Sequence, residues 1–246
     1  MGELYEPVEV RAAGSERMRE FLRAHPYVRI DTFERGAEPH IEFRRGTWMR
    51  EARQGHPSID GPYGLPELMD NNPLVCADRA SCPGPAATLA LIGLGPLALG
   101  GLMTERPSAL FSFDGDYDEV DAALATEGWT NGVTCAGDPL EFDGCVAATC
   151  VAAIRVPDDP SELEDLYDEC LGRSFFVRRQ EDGGDLSADR VKGEPFALYA
   201  LALSNDEGLL KVQVVADAHG KAGDAQVLHL MNIMAGFEED LGMAGA

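Results

Sequence analysis

Residues able to do covalent chemistry are few in this chain, and the most suggestive of them stand at one turn. "SCPGPAATLALIGLGPL" (Ser81–Leu97) places a Pro-Gly pair ahead of an apolar run. A helix that starts at such a turn offers free backbone N–H groups and the positive end of its dipole, a setting that lowers a thiol's pKa and mounts a nucleophile. The residue after Pro83-Gly84 is Pro85, which has no reactive group, while the nearby thiol, Cys82, precedes the turn. Cys82 reads either as a displaced nucleophile or as a small buried residue. Asp114, Asp116 and Asp118 in "FDGDYDE" have the spacing of a calcium loop. Glycine is missing at its sixth position and glutamate at its twelfth, so a solvated acidic helix start is expected. His219 and His229 flank Lys221 in a later group, and His219 reads either as lining a cleft or, more simply, as a surface histidine. His25 closes a predicted helix, where a cation is favourable. The six cysteines (Cys76, Cys82, Cys135, Cys145, Cys150 and Cys170) contain no CxxC pair. No metal site is expected, and free thiols fit a reducing cytoplasm.

Composition narrows the partners. The 246 residues carry a net charge of −23, and lysine occurs only at Lys192, Lys211 and Lys221. Such a field disfavours nucleic acid and anionic membranes, both of which need Lys and Arg to displace counterions. It suits a salt-rich cytoplasm and equally a high-GC genome. "MGELYEPVEV" has neither the basic nor the apolar region of a secretory signal, so a cytoplasmic protein is expected. Ala86–Met103 is uncharged and barely long enough to span a bilayer. Its glycines and Pro96 point instead to a buried helix ending near Gly95-Pro96, then a second short segment.

The pattern from Glu9 to Ile30 predicts strand, helix, strand, with Ser15 capping the helix, the opening of a parallel α/β sheet. The polar residues Arg35–Asp60 read as loop or edge strands. "DYDEVDAALATEGW" reads as a short helix and Cys145–Val156 as a long buried strand, with Cys145 and Cys150 filling core on opposite faces. Asp159 caps, Pro160 opens and Gly172 stops the next helix. "FFVRR", "PFALYALALS" and "LLKVQVVADA" follow as strands, the last two joined by the turn "NDEG", and a final helix runs from about Gly223 to Phe237. Strands that run together in this half predict an α+β arrangement.

Three segments, "YGLPEL" (Tyr63–Leu68), "CPGPAATLALIGLGPL" (Cys82–Leu97) and "DAHGKAGDAQVLHLMNIMAG" (Asp217–Gly236), resemble in order and spacing the N-acetyl-gamma-glutamyl-phosphate reductases. These are NADPH enzymes of the semialdehyde dehydrogenase superfamily. The resemblance implies α/β plus α+β architecture. A truncated Rossmann-like domain is expected over residues 1–80, with helix 221–246 packed on it. A catalytic and dimerisation domain with a mixed sheet is expected over residues 81–220. It also implies a cleft, which Tyr63, Gly84, Asp143, Lys221 and Gln226 would line.

The family's chemistry does not carry over with the scaffold. With Thr88 fixing the register, the nucleophile's position falls on Pro85, which cannot form a thioester hemiacetal. The acid/base histidine's position falls on Asp116, a carboxylate ill-suited to a task that needs a pKa near 7. An arginine that would hold an acyl phosphate is replaced by Asp143. The GxxGxxG phosphate turn aligns with "EVRAAGS" (Glu9–Ser15) and keeps only Gly14, so no NADP or other cofactor is expected. The expected protein is a degenerate relative that acts by binding, as a homo-oligomer or with another pathway protein. The alternative is a repurposed enzyme that uses Cys82, Tyr63 and Asp116 on another small molecule.

Overall fold

In a computed structural model of the protein, residues 5–36, 38–55, 57, 60–159, 161–180, 186–204 and 206–243 are described. The chain divides into two compact units, Met1–Pro83 with Gly223–Ala246, and Gly84–Ala222. The first is α/β and Rossmann-like in its opening; the second is built on a mixed sheet.

In the first unit, β1 (Val8–Gly14) and β2 (Val28–Arg35) pair in parallel across α1 (Glu16–Ala24). Next come β3 (His40–Arg45), β4 (Trp48–Gln54), α2 (Asn71–Cys76) and β5 (Arg79–Cys82), giving the sheet order β2-β1-β3-β4-β5. The parallel opening expected from the sequence is present in β1 and β2, but the sheet continues as a mixed one, because β3 runs antiparallel to both β1 and β4. The expectation of loop or edge strands over Arg35–Asp60 is corrected, since β3 and β4 lie inside the sheet. Most of their charge lies on one face, although Arg45 and Arg50 lie on the other. Ile41, Phe43 and Ala52 are buried on the other. The polar face carries ion pairs between Arg44 and Glu9 (2.7 Å), Arg11 and Asp31 (2.9 Å), and Arg79 and Glu51 (3.3 Å). Gly46, at φ +60°, opens the two-residue hairpin loop between Arg45 and Trp48, where a positive φ suits the strand twist.

The apolar face packs on Met18, Phe21 and Leu22 of α1 and on α6 (Asp224–Ala235), whose residues are all buried. Cations at the C-terminal end of α6 match its dipole: Arg50 Nη1 donates to Met234 O (2.5 Å) and Arg45 Nη2 to Ala235 O (3.4 Å). Gly236, at φ +72°, ends the helix. His25 is not an exposed cation at a helix end. It is 3% exposed beside Tyr27 and Phe237, and burial pushes its pKa down to about 4, against a smaller opposing effect from Asn232. His229 is also buried, with Nε2 2.9 Å from Glu239 and Nδ1 3.7 Å from Glu67. A wholly buried helix hides its polar members from any amphipathic pattern. His219 is exposed.

The second unit contains α3 (Pro85–Leu99), β6 (Ser108–Phe111), α4 (Asp118–Thr126), β7 (Thr134–Gly137), β8 (Cys145–Ala153), α5 (Ser161–Leu171), β9 (Val177–Arg179), β10 (Ala197–Ser204) and β11 (Leu209–Asp217). Its sheet order is β7-β6-β8-β11-β10-β9. Helix α3 does not stop at Gly95-Pro96; it continues to Leu99. Gly93 is there for close approach, since a Cβ at that position would lie 2.7 Å from Cys150 Sγ. Its carbonyl accepts a 2.6 Å hydrogen bond from Tyr167 Oη of α5. Among the described residues, no helix is long and apolar enough to cross a membrane. Asp159 Oδ1 accepts from Ser161 N (2.9 Å) at the start of α5. Pro160, and Asn205 of the predicted turn, lie outside the described residues.

Candidate functional site: two helix N-termini held by carboxylates

The turn from β1 into α1 is where a dinucleotide-binding unit receives phosphate. β1 ends at Gly14, and Ser15 is the extended N-cap residue, its Oγ accepting from Arg17 N (3.0 Å). Ser15 N donates to Asp224 Oδ1 (3.3 Å), and Ser15 Oγ donates to Asp224 Oδ2. Asp224 is fully buried. It is also the first residue of α6, so its carboxylate lies at the positive ends of two helices. A Cβ on Gly14 would lie 2.8 Å from Asp224 Oδ1 and 2.9 Å from Met18 Cβ, so only glycine leaves room for the carboxylate.

The head of α3 is built the same way. Gly84 is its N-cap, and Gly84 N donates to both carboxylate oxygens of Glu119 on α4, at 3.0 and 3.1 Å. Pro85 fills the first helical position, where a missing N–H matters least. The Pro-Gly turn thus ends in a free N–H that binds an anion supplied by the chain itself.

In the first unit, three of the predicted residues gather around the end of β5. Tyr63 bridges to Ser81, Gln226 Nε2 donates to Pro83 O (2.9 Å), and Cys82 lies between, fully buried with Sγ 3.5 Å from Arg53 O. Gln54 Nε2 also donates to Pro83 O (3.0 Å), so that carbonyl is doubly held.

In the second unit the predicted residues have the following partners. Gly84 faces Glu119. Asp116 is exposed, and its Oδ1 accepts from Asp118 N (3.0 Å), the first residue of α4. Asp143 is exposed in a turn before β8, at φ +49°, and is ion-paired with Lys192. Lys221 is fully buried, with Nζ 5.7 Å from the centroid of the Phe176 ring. Among the described residues, no cluster of His, Cys, Asp or Glu could hold a metal ion. A cavity of about 230 Å³ opens on the same unit's sheet beside Leu110, Leu140, Phe142, Thr149 and Gln213.

Neither Asp224 nor Glu119 stands out in the sequence. Each acts through a contact more than thirty residues away, which no local spacing reveals.

No family model matches the chain. Over 214 residues it is 24% identical to the N-acetyl-gamma-glutamyl-phosphate reductase of Bacillus cereus (strain 03BB102), covering 74% of this chain. Over 104 residues, 42% of this chain and 30% of the relative, it is 31% identical to the enzyme of that name from Geobacter sulfurreducens. The chain resembles the N-acetyl-gamma-glutamyl-phosphate reductases. It spans 61% of the length of the Bacillus reductase. In fold it is similar to aspartate semialdehyde dehydrogenase II from Vibrio cholerae, at a TM-score of 0.52 and 12% identity over 72% of this chain and 69% of that one. A second structure of that enzyme, complexed with ASA, gives a TM-score of 0.51 at 13% identity, over 71% of this chain and 68% of that one. The similarity in fold to a semialdehyde dehydrogenase and in sequence to the reductases is consistent with the resemblance that the three segments carry.

Proposed function

We propose that this chain has lost NADP-dependent acyl-phosphate reduction and works as a binding or assembly protein. The head of α3 carries this reading. In the reductase-like register the nucleophile's place is Pro85, and the helix N-terminus that would stabilise a tetrahedral oxyanion is taken by the Glu119 carboxylate. A second negative charge at that N–H, an acyl phosphate or the oxyanion derived from it, would meet like charge at hydrogen-bond distance. The other replacements agree with this. Asp116 accepts from Asp118 N, Asp143 pairs with Lys192, and Cys82 is buried against Arg53 O.

The test is NADPH oxidation with N-acetyl-gamma-glutamyl phosphate, run beside a reductase homologue as positive control. No turnover above the buffer rate is expected. Turnover that disappears in Cys82→Ala would overturn the reading and make Cys82 the nucleophile.

The partner we propose is a second copy of the chain, docked on the face of the second unit's sheet that points away from α3. Half-buried Ala147, Thr149 and Val151 lie on that face around the cavity of about 230 Å³, and Leu110 is 46% exposed beside them. Sedimentation velocity is expected to give a dimer or larger species. The double variant Leu110→Arg, Thr149→Arg is expected to sediment as a folded monomer. A wild-type monomer at tens of micromolar protein would remove the self-association half of the proposal.

A further inference from the structure

We propose that Asp224 is a resident substitute for a bound phosphate: its carboxylate completes the β1–α1 turn as an anionic ligand would, and so closes that turn to dinucleotides. A strand that ends in glycine and leads into a helix leaves N–H groups aimed outward, which makes it a ready anion site. Here those groups are engaged from inside the chain. Ser15 N and Oγ donate to the two oxygens of Asp224, while Arg17 N donates to Ser15 Oγ.

Asp224 is fully buried, a placement that is strongly unfavourable for a carboxylate unless donors and dipoles surround it. Its seat supplies both. It lies at the N-cap of α1 and, as the first residue of α6, at the N-terminus of a second helix. Gly14 is the one glycine kept in the degraded phosphate turn, and it now admits a side-chain oxygen 2.8 Å from where its Cβ would be. The glycine that would bring backbone close to a phosphate brings it close to a carboxylate instead. Glu119 on Gly84 N shows the same substitution at an unrelated helix head. The inference does not rest on the functional reading above, since it concerns the anion seat in the first unit and not turnover.

The experiment is thermal melting of the wild type, Asp224→Gly and Asp224→Asn with rising inorganic pyrophosphate, against sodium chloride at matched ionic strength. Asp224→Gly empties the seat and is expected to melt lower by on the order of 5 °C or more in dilute buffer. Pyrophosphate is expected to return at least half of that loss, while the wild type shifts no more than it does in chloride. Equal responses of Asp224→Gly to the two salts would overturn the proposal. If this variant does not fold in dilute buffer, its refolded yield is compared in the same two salts. Recovery in pyrophosphate alone supports the proposal, and equal recovery or none in both overturns it. Asp224→Asn keeps the shape and removes the charge, so it is expected to melt well below the wild type. A melting point equal to the wild type's would show that the seat does not need an anion, and would also overturn the proposal.

Discussion

Gly93→Ala is expected to destabilise the second unit by about 2 kcal/mol, even though alanine is the better helix former by ~1 kcal/mol. The added methyl group would stand 2.7 Å from Cys150 Sγ, 3.2 Å from its Cβ and 3.8 Å from Val214 Cγ2. Cys150 is fully buried on β8, so its sulfur has no solvent to move into. Moving α3 outward instead would stretch the 2.6 Å bond from Tyr167 Oη to Gly93 O, the tie between α3 and α5. Overpacking of this kind costs about 1–3 kcal/mol after relaxation, which exceeds the propensity gain. Urea denaturation would read the effect as a lower midpoint. The double variant Gly93→Ala, Cys150→Ala removes the opposing sulfur and is expected to recover at least about 1 kcal/mol as coupling between the two sites. A single variant as stable as the wild type would mean that α3 does not pack at this spacing.

That helix also shows what the sequence could and could not tell. Its existence, its start at the Pro-Gly turn and its burial were legible from a continuous apolar run. Its end was not, because Gly93, Gly95 and Pro96 act as helix breakers in isolation. Here Gly93 is a contact residue facing Cys150. Strands β8, β10 and β11, helix α5 and the cap at Ser15 were readable because periodicity and capping chemistry are local. The β3–β4 hairpin was not. Its outward side chains are mostly charged, and its inward face mixes Ile41, Phe43 and Ala52 with Arg45 and Arg50, which reach α6, so no apolar alternation stands out.

The site follows the same division. The resemblance to the reductases drew attention to Gly14, Gly84 and Pro85. It could not show that Asp224 and Glu119 sit at the two helix heads, because each contact joins segments far apart in sequence. Losing a bound anion and its binding residues would leave a helix N-terminus with unmet donors and an unopposed dipole. Supplying a carboxylate from a neighbouring helix removes that liability and frees the scaffold from its ligand. On the proposed reading, two such carboxylates, one in each unit, would let the fold survive without its ligand. The ion-paired face of the first unit's sheet fits the same logic. A doubly wound sheet is apolar on both faces, whereas β1, β3 and β4 carry alternating Arg and Glu on one of theirs.

The largest pH effect is expected from His25. Burial lowers its pKa from 6.5 to about 4 in the folded protein. Nδ1 accepts a hydrogen bond from Tyr27 N (3.1 Å), so the folded state holds the neutral ring, packed beside Tyr27 and Phe237. A base with a depressed pKa binds its proton more readily in the unfolded chain. Its effect on stability is therefore absent above about pH 6.5, grows as pH falls, and is complete below about pH 4. A shift of this size corresponds to roughly 3 kcal/mol of stability lost across that window, and most of it is already lost by pH 4.5. His25→Asn keeps an acceptor near the position of Nδ1 and cannot titrate. Urea midpoints at pH 7 and pH 4.5 would isolate the term, since the carboxylates titrate in both proteins. The wild type is expected to lose about 2.5 kcal/mol more than His25→Asn over this range. Equal losses would mean that His25 takes up its proton without leaving its aromatic cage.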